Sequence, residues 1–369
     1  MKFFFPLMMG LILLSNLYIL VRIWQILPCG AIWEILILLA YLAALACMFL
    51  GFGHWDSLPV KTMTIVYEIG NTWLIAYLYL LIAFVLLDLG RLVHLVPASF
   101  LKGSLPGALT VFGAVALTLC LGGIHYHHKY REEMTLTTDK PLEKPVTIVM
   151  ASDLHLGYHN RRPELARWID LINAEHPDLV LFGGDIIDIS VRPLLEGNYA
   201  EAFHRLQAPV WSVLGNHEYY SNEPRAEAFY RDAGIRLIRD SVAWFGDIAV
   251  VGRDDRTNPE RKTLREILAA APEAEGHLTL LLDHQPNHLE EAEAAGIDFQ
   301  FSGHTHRGQV WPISWVTDAM FEKSWGHHRR GNTRYYVSSG LGIWGAKIRV
   351  GTRSEYLVLH IRPDSPSTP

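Results

Sequence analysis

The chain has 369 residues, half of them hydrophobic and only 19% charged, with a formal net charge of −6. Residues 1–128 hold five basic and four acidic side chains, whereas residues 129–369 hold 27 basic and 34 acidic ones. The first part lies far below the charged fraction of about a quarter usual in soluble proteins and the second matches it, which excludes one uniform globule; the net −7 of the second part also removes any general electrostatic reason to bind nucleic acid.

Four apolar runs come first, at 7–27, 31–52, 73–89 and 105–124. Each is near the ~20 residues that an α-helix needs to cross a bilayer. They lack the polar face of an amphipathic helix. No small-residue cleavage site follows the first run, which sets aside a signal peptide. Trp24, Trp33, Tyr67, Trp73 and Tyr126 stand near the run ends, as suits an interfacial aromatic belt. Residues 1–128 are therefore expected to form an all-α, four-helix transmembrane region of a bacterial inner membrane, with both termini on one side. Lys2, Lys61, Lys129 and Arg131 outnumber Arg22, Arg91 and Lys102 if that side is inside, a narrow bias that places the soluble part in the cytoplasm. Cys29, Cys47 and Cys120 all lie in the apolar part and read as small hydrophobes. Beyond it there is no cysteine, and so neither a disulfide framework nor a thiolate metal site.

Residues 129–145 are polar, contain two prolines and read as a linker. From Val146 short β-branched runs alternate with amphipathic stretches. Strands are expected at 146–151, 179–182, 210–214, 248–251, 278–282, 299–301 and 335–337, and helices at 164–174, 225–232, 261–270 and 289–295. Such alternation indicates an α/β domain over 146–362, with helices covering the sheet faces. The Pro/Ser-rich tail, 363–369, reads as disordered.

The chemistry is concentrated just after the strands. The clusters there are Ser152-Asp153-Leu154-His155, Gly183-Gly184-Asp185-Ile186-Ile187-Asp188, Gly215-Asn216-His217-Glu218, Asp283-His284-Gln285-Pro286 and Gly303-His304-Thr305-His306. Singly, each is weak: an Asp-x-His triplet arises by chance about once in a chain of this length, and Gly-Asp is ordinary turn chemistry. Five in register with five strand ends are another matter, because turns do not need histidine and sites in open α/β sheets form outside the carboxyl ends of strands. Asp153 with His155, and His304 with His306, have the i, i+2 spacing that points two side chains to one face of a strand. Imidazole, carboxylate and amide donors without sulfur suit Mn²⁺, Fe or Zn²⁺. Seven candidate ligands are too many for one tetrahedral ion and fit two ions sharing a carboxylate.

At these residues the sequence resembles the calcineurin-like metallophosphoesterases, whose blocks D-x-H, G-D-x-x-D, G-N-H-[DE], H and G-H-x-H all occur here in that order. The runs at 152–157, 283–286 and 338–342 are similar to the bacterial membrane-associated branch, some of whose members act on lipid-linked pyrophosphates such as UDP-2,3-diacylglucosamine. The resemblance implies a four-layer αββα sandwich. It implies one metal held by Asp153, His155 and His306, a second held by Asn216, His284 and His304, and Asp185 bridging them. It makes His217 the proton donor and Asp188 its orienting partner. Two divalent ions are expected, Mn²⁺ ahead of Zn²⁺ or Fe. The expected reaction is hydrolysis of a phosphodiester or pyrophosphate bond, in a lipid-linked substrate, by a metal-bridging hydroxide with His217 as general acid. The alternatives are a broad phosphodiesterase of soluble substrates and a non-catalytic metal- or phosphate-binding membrane sensor. One departure stands out, since Arg307 occupies a position where the branch carries glycine.

Two further stretches leave readings open. Residues 311–325 carry Trp311, Trp315, Met320, Phe321 and Trp325, and are either a loop packed on the core or an apolar lip meeting the bilayer or an acyl chain. His327-His328-Arg329-Arg330 reads as a solvated loop, with contact to a phosphate as the lesser alternative.

Overall fold

The computed structural model describes residues 4–53 and 58–364 and divides into two units, with the boundary between Ile124 and His125. Among the described residues the N-terminal unit holds four apolar helices, α1 (Phe4–Ile26), α2 (Ala31–Gly53), α3 (Val60–Leu92) and α4 (Leu105–His127), the last running across the boundary. Among the described residues three helices, Ala31–Gly51, Val60–Leu92 and Leu105–His127, are long and apolar enough to cross a membrane, and α1 contributes the apolar stretch Gly10–Ile26. Helix α3 starts well before the expected residue 73, because its more polar first half buries Met63, Tyr67, Gly70 and Asn71 against the neighbouring helices. Asp88, near its end, accepts hydrogen bonds from Tyr18 and Arg22, which pairs a charge otherwise expensive in an apolar region.

Among the described residues the second unit contains twelve strands. They are β1 (Lys129–Thr138), β2 (Val146–Ala151), β3 (Leu179–Phe182), β4 (Val210–Ser212), β5 (Arg236–Leu237), β6 (Ser241–Phe245), β7 (Ile248–Gly252), β8 (Leu278–Leu282), β9 (Phe299–Ser302), β10 (Gly326–Arg330), β11 (Thr333–Val337) and β12 (Ser354–Pro363). They form two six-stranded mixed sheets, ordered β1-β12-β2-β3-β4-β5 and β10-β11-β9-β8-β7-β6. The period of two along β2 and β3 explains the layering. Ile148, Met150, Leu179 and Leu181 point into a core shared with Val250, Leu280 and Phe301 of the second sheet. Val149, Ala151, Val180 and Phe182 point the other way, under the helix Arg162–Ala174 and its Leu165, Trp168 and Ile169. The outer face of the second sheet is covered by the helices Leu264–Ala269 and Leu289–Ala294. The result is the expected αββα sandwich.

Two expectations need correction. Residues 129–138 are not linker but β1, an edge strand parallel to β12. An edge strand needs no apolar run: Leu136 is buried while Arg131 and Glu133 face solvent, and its partner lies at the other end of the sequence. His327–Arg330 likewise belong to an edge strand, β10, antiparallel to β11, rather than to a solvated loop. The tail beyond residue 364 lies outside the described residues.

Candidate metal centre

Five loops leave the carboxyl ends of β2, β3, β4, β8 and β9 and are spliced together by main-chain bonds. The Asp153 and His155 amides donate to the Gly184 and Asp185 carbonyls (3.1 and 3.0 Å), and the Gly303 amide donates to the His284 carbonyl (2.9 Å). Carboxylates extend the splicing, since the His304 amide donates to Asp153 Oδ1 (3.0 Å) and the His217 amide to Asp185 Oδ1 (2.8 Å). Five of the expected ligands, Asp153, His155, Asp185, His304 and His306, hold left-handed φ angles between 45° and 70°. Such backbone is costly for non-glycine residues and clusters at functional sites. Gly215 and Gly303 are required by close approach: a Cβ on either would collide with the carboxylates of Asp185 and Asp153.

The convergence forms two adjoining groups. In one, His155 Nε2 and His306 Nε2 lie 3.0 Å apart, and His306 Nε2 lies 3.4 Å from Asp153 Oδ1. In the other, His284 Nε2 is 3.1 Å from Asp185 Oδ2, and His304 Nδ1 is 2.8 Å from Asn216 Oδ1. Asp185 Oδ2 also lies 3.7 Å from His155 Nε2, between the two groups. All seven expected ligands are thus brought together.

Their chemistry fits divalent cations. A carbonyl can only accept, so the 2.7 Å contact between His284 Nδ1 and the Gly183 carbonyl fixes the proton on Nδ1 and turns the Nε2 lone pair toward Asp185. His284 Nε2 is buried without a hydrogen-bond partner. Lone pairs facing one another across 3 Å in a buried site call for positive charge between them. The titration behaviour expresses the same demand. Burial opposes an imidazolium at His155, but Asp153 and Asp188 outweigh it and push its pKa up to about 10. Burial, with His284 next to it, pushes His304 down to about 4. Burial disfavours the Asp153 carboxylate, yet His306 and His155 hold it below its usual range.

His217 stands at the rim, its side chain 12% exposed. Its Nδ1 donates to the main-chain carbonyl of Asp188 at 2.9 Å, while the Asp188 carboxylate is 3.5 Å away. That carboxylate lies closer to His155, at 3.2 Å from Nδ1, and 3.6 Å from His159 Nδ1. Asp188 therefore reaches three imidazoles, and the one expected to be its partner is held by its backbone.

Three further residues shape the site. Glu218, buried, accepts the amides of Asp185, Ile187 and Gly215 (3.0, 3.0 and 2.7 Å) and ties two ligand loops together. Burial and Asp185 push its pKa up to about 7. Its place in the G-N-H-E block was the available signal. Arg349, fully buried, donates to the His306 carbonyl (2.8 Å) and the Gly342 carbonyl (3.1 Å) beneath the ligands. Asn160 Nδ2 donates to the Leu154 carbonyl (2.9 Å), between two ligands. Neither Arg349 nor Asn160 belongs to a motif that marks it. Arg307 adopts φ 49° and lays its guanidinium over Trp325, 4.4 Å from the ring centre.

The class of protein follows from this arrangement and from comparison. A family model described as calcineurin-like phosphoesterase matches residues 146–308, and the chain carries a calcineurin-like metallophosphoesterase domain. An uncharacterized metallophosphoesterase of Helicobacter pylori is 29% identical over 240 residues, 63% of this chain and 64% of that one. One of Aquifex aeolicus is 28% identical over 242 residues, 63% of this chain and 91% of that one. A transmembrane protein with metallophosphoesterase domain from Danio rerio is 30% identical over 234 residues, 56% of this chain and 51% of that one. The chain thus spans less than two thirds of the length of the Helicobacter and Danio relatives.

Proposed function

We propose that the protein is a membrane-anchored, metal-dependent phosphoester hydrolase that cleaves phosphodiester or pyrophosphate bonds in a lipid-linked substrate. The observation that carries this reading is the convergence of seven donors, Asp153, His155, Asp185, Asn216, His284, His304 and His306, beside a partly exposed ring with a fixed tautomer, His217. Two divalent cations held there, Mn²⁺ foremost, would neutralise phosphoryl charge and lower the pKa of water towards ~7. Asp153, His155 and His306 would hold one and Asn216, His284 and His304 the other, with Asp185 shared.

The chain's own residues supply the rest. The Asp188 carbonyl keeps a proton on His217 Nδ1, so the ring would act as an acid in its imidazolium form, giving its Nε2 proton to a poor leaving group and returning to the neutral Nδ1–H tautomer. Glu218 and Arg349 hold the ligand loops at fixed spacing, so that reactants meet a preorganised site. A sensor that only bound metal or phosphate would need no positioned proton donor. The helices α2, α3 and α4 supply the anchor, in a bacterial inner membrane with the domain on the cytoplasmic side; the basic residues Lys61, Lys129 and Arg131 near the helix ends support that orientation.

The test is hydrolysis by the detergent-solubilised full chain with Mn²⁺. The substrates compared are bis-p-nitrophenyl phosphate, UDP-2,3-diacylglucosamine and phospholipid. Cleavage of the soluble diester with faster turnover of the lipid-linked pyrophosphate is expected. Cleavage of soluble diesters alone would leave the esterase and remove the lipid-linked substrate. No cleavage of any of them with Mn²⁺, Zn²⁺ or Fe²⁺ would refute the hydrolase.

A further inference from the structure

Apolar exposure in the second unit is concentrated in one place. Among its described residues the exposed large hydrophobic side chains are Leu195, Tyr220 and five within ten consecutive positions, Trp311, Ile313, Trp315, Val316 and Met320. Trp315 is 64% exposed and Met320 71%. They ride on the helix Ile313–Met320, where Ile313, Val316 and Met320 share one face by their i, i+3, i+7 spacing and Ser314 is buried on the other. Trp311 and Trp315 pack edge to face, 5.4 Å between ring centres, beside that stripe. A domain surface in water seldom gathers such side chains without something to cover them.

The position of this helix points to what covers it. Within the second unit, which begins at His125, His125 Nε2 donates to the Thr352 carbonyl at 2.9 Å, and the Tyr126 hydroxyl donates to Asn160 Oδ1 at 2.7 Å. Thr352 in turn donates to the Gln309 carbonyl, and the Trp311 amide donates to the Val350 carbonyl at 2.7 Å. Hydrogen bonds therefore link His125 through Thr352 to Gln309 and tie Trp311 to Val350, and the aromatic helix starts directly after this linked segment. The same helix touches the metal centre. Its main chain at Ile313 and Ser314 leaves no room for a Cβ on Gly308, two residues after His306. Phe321, at its end, packs edge-on against His304, 6.3 Å between ring centres. Tryptophans with an aliphatic stripe, set next to the point where an apolar helix ends, match the chemistry of a bilayer interface.

We propose that the helix Ile313–Met320, with Trp311, is a lipid-docking element that inserts its apolar face into the interface of the bilayer crossed by α4, and so presents the metal centre to phosphoesters resident in that surface. This rests on the reading that α4 crosses the membrane. Docking brings His304 and His306 to headgroup level, and it favours amphiphilic substrates whose phosphorus lies at that depth over those free in water.

Nitroxide accessibility in the full chain tests it. Cys29, Cys47 and Cys120 are replaced by alanine, and single labels are placed through Val316→Cys, Met320→Cys, Leu117→Cys in α4 and Arg231→Cys. Arg231 is exposed on the helix Glu223–Asp232 beside β5, at the far edge of the sheet from β1. Each chain is reconstituted in phosphatidylcholine–phosphatidylglycerol nanodiscs and saturated in the presence of oxygen or a water-soluble nickel chelate. The labels at 316 and 320 are expected to relax more with oxygen than with nickel, as at 117, whereas 231 shows the reverse. Labels at 316 and 320 that behave like 231 while 117 stays in hydrocarbon would overturn the docking and leave the anchor standing. Labels at 316 and 320 shielded from both reagents would also overturn it, since a protein partner or a second copy would then cover the face. A water-exposed label at 117 would remove the anchor itself and the inference with it.

Discussion

Replacing Asp188 by Asn separates two duties that the structure gives this residue. Its carboxylate lies 3.2 Å from His155 Nδ1 and 3.5 Å from His217 Nδ1, but the hydrogen bond that fixes His217 comes from the main-chain carbonyl at 2.9 Å. Asparagine keeps the volume and the main-chain carbonyl, removes the negative charge and turns one acceptor oxygen of the side chain into a donor. The loss falls on His155, whose basicity as a ligand depends on that charge, and removing such an outer partner costs about 10–100-fold in metal affinity, or roughly 1.4–2.7 kcal/mol. Because His217 keeps its tautomer, kcat at saturating metal is expected to fall less than about tenfold, well short of the 10²–10⁴ of a lost general acid. The assay titrates hydrolysis of bis-p-nitrophenyl phosphate against buffered free Mn²⁺, giving half-saturation and kcat separately. An unchanged half-saturation with kcat reduced a hundredfold would refute this division of labour and make the carboxylate the partner of His217.

His217→Ala is expected to keep both metals by elemental analysis while losing about 10²–10⁴ in turnover of esters with poor leaving groups, and much less with p-nitrophenol; loss of both metals would sink its role as proton donor. Glu218→Gln turns one acceptor for the Asp185, Ile187 and Gly215 amides into a donor, so at least one buried amide loses its partner. A destabilisation of about 1–3 kcal/mol should follow, read as a lower denaturant midpoint by tryptophan fluorescence, and an unchanged midpoint would contradict the clamp. Arg307→Gly relieves a left-handed residue worth about 1–2 kcal/mol and gives up a cation–π contact worth about 0.5–1. The same midpoint should therefore rise slightly, and a clear fall would show that the Arg307 side chain does more than rest on Trp325.

The candidate site was legible because residue types that suit metal ligation carry their own signal. Asp153-x-His155 and His304-x-His306 combine residue types that turns do not require, and each pair comes directly after a β-branched or aromatic run that reads as a strand. The inner strands β2, β3, β7, β8 and β9 were legible for the same reason, being buried on both faces. What escaped lies at edges, in non-local support and in one inner strand, β12 (Ser354–Pro363), which was not expected although it is buried between β1 and β2. The strands β1 and β10 are half polar, and β1 finds its partner β12 only through the folded chain. Arg349 acts through carbonyls of residues 306 and 342, a role that needs an arginine but marks no motif. Asp188 was visible as a residue, yet its bond to His217 runs through the backbone, which no side-chain pattern reports. The helix Ile313–Met320 showed its aromatics in the sequence, but whether they faced the core or the outside depended on how Gly308 and Gln309 turn the chain, both at positive φ.

The most direct measurement of the central claim tracks metal content and hydrolysis together in the purified full chain. Chelator-stripped protein should show no cleavage of bis-p-nitrophenyl phosphate. Titrated with Mn²⁺, it should bind two ions per chain and gain activity as they bind, and Asp185→Asn, which removes the shared carboxylate, should weaken both. Hydrolysis that persists after chelation, or two bound ions without any hydrolysis, would contradict the account.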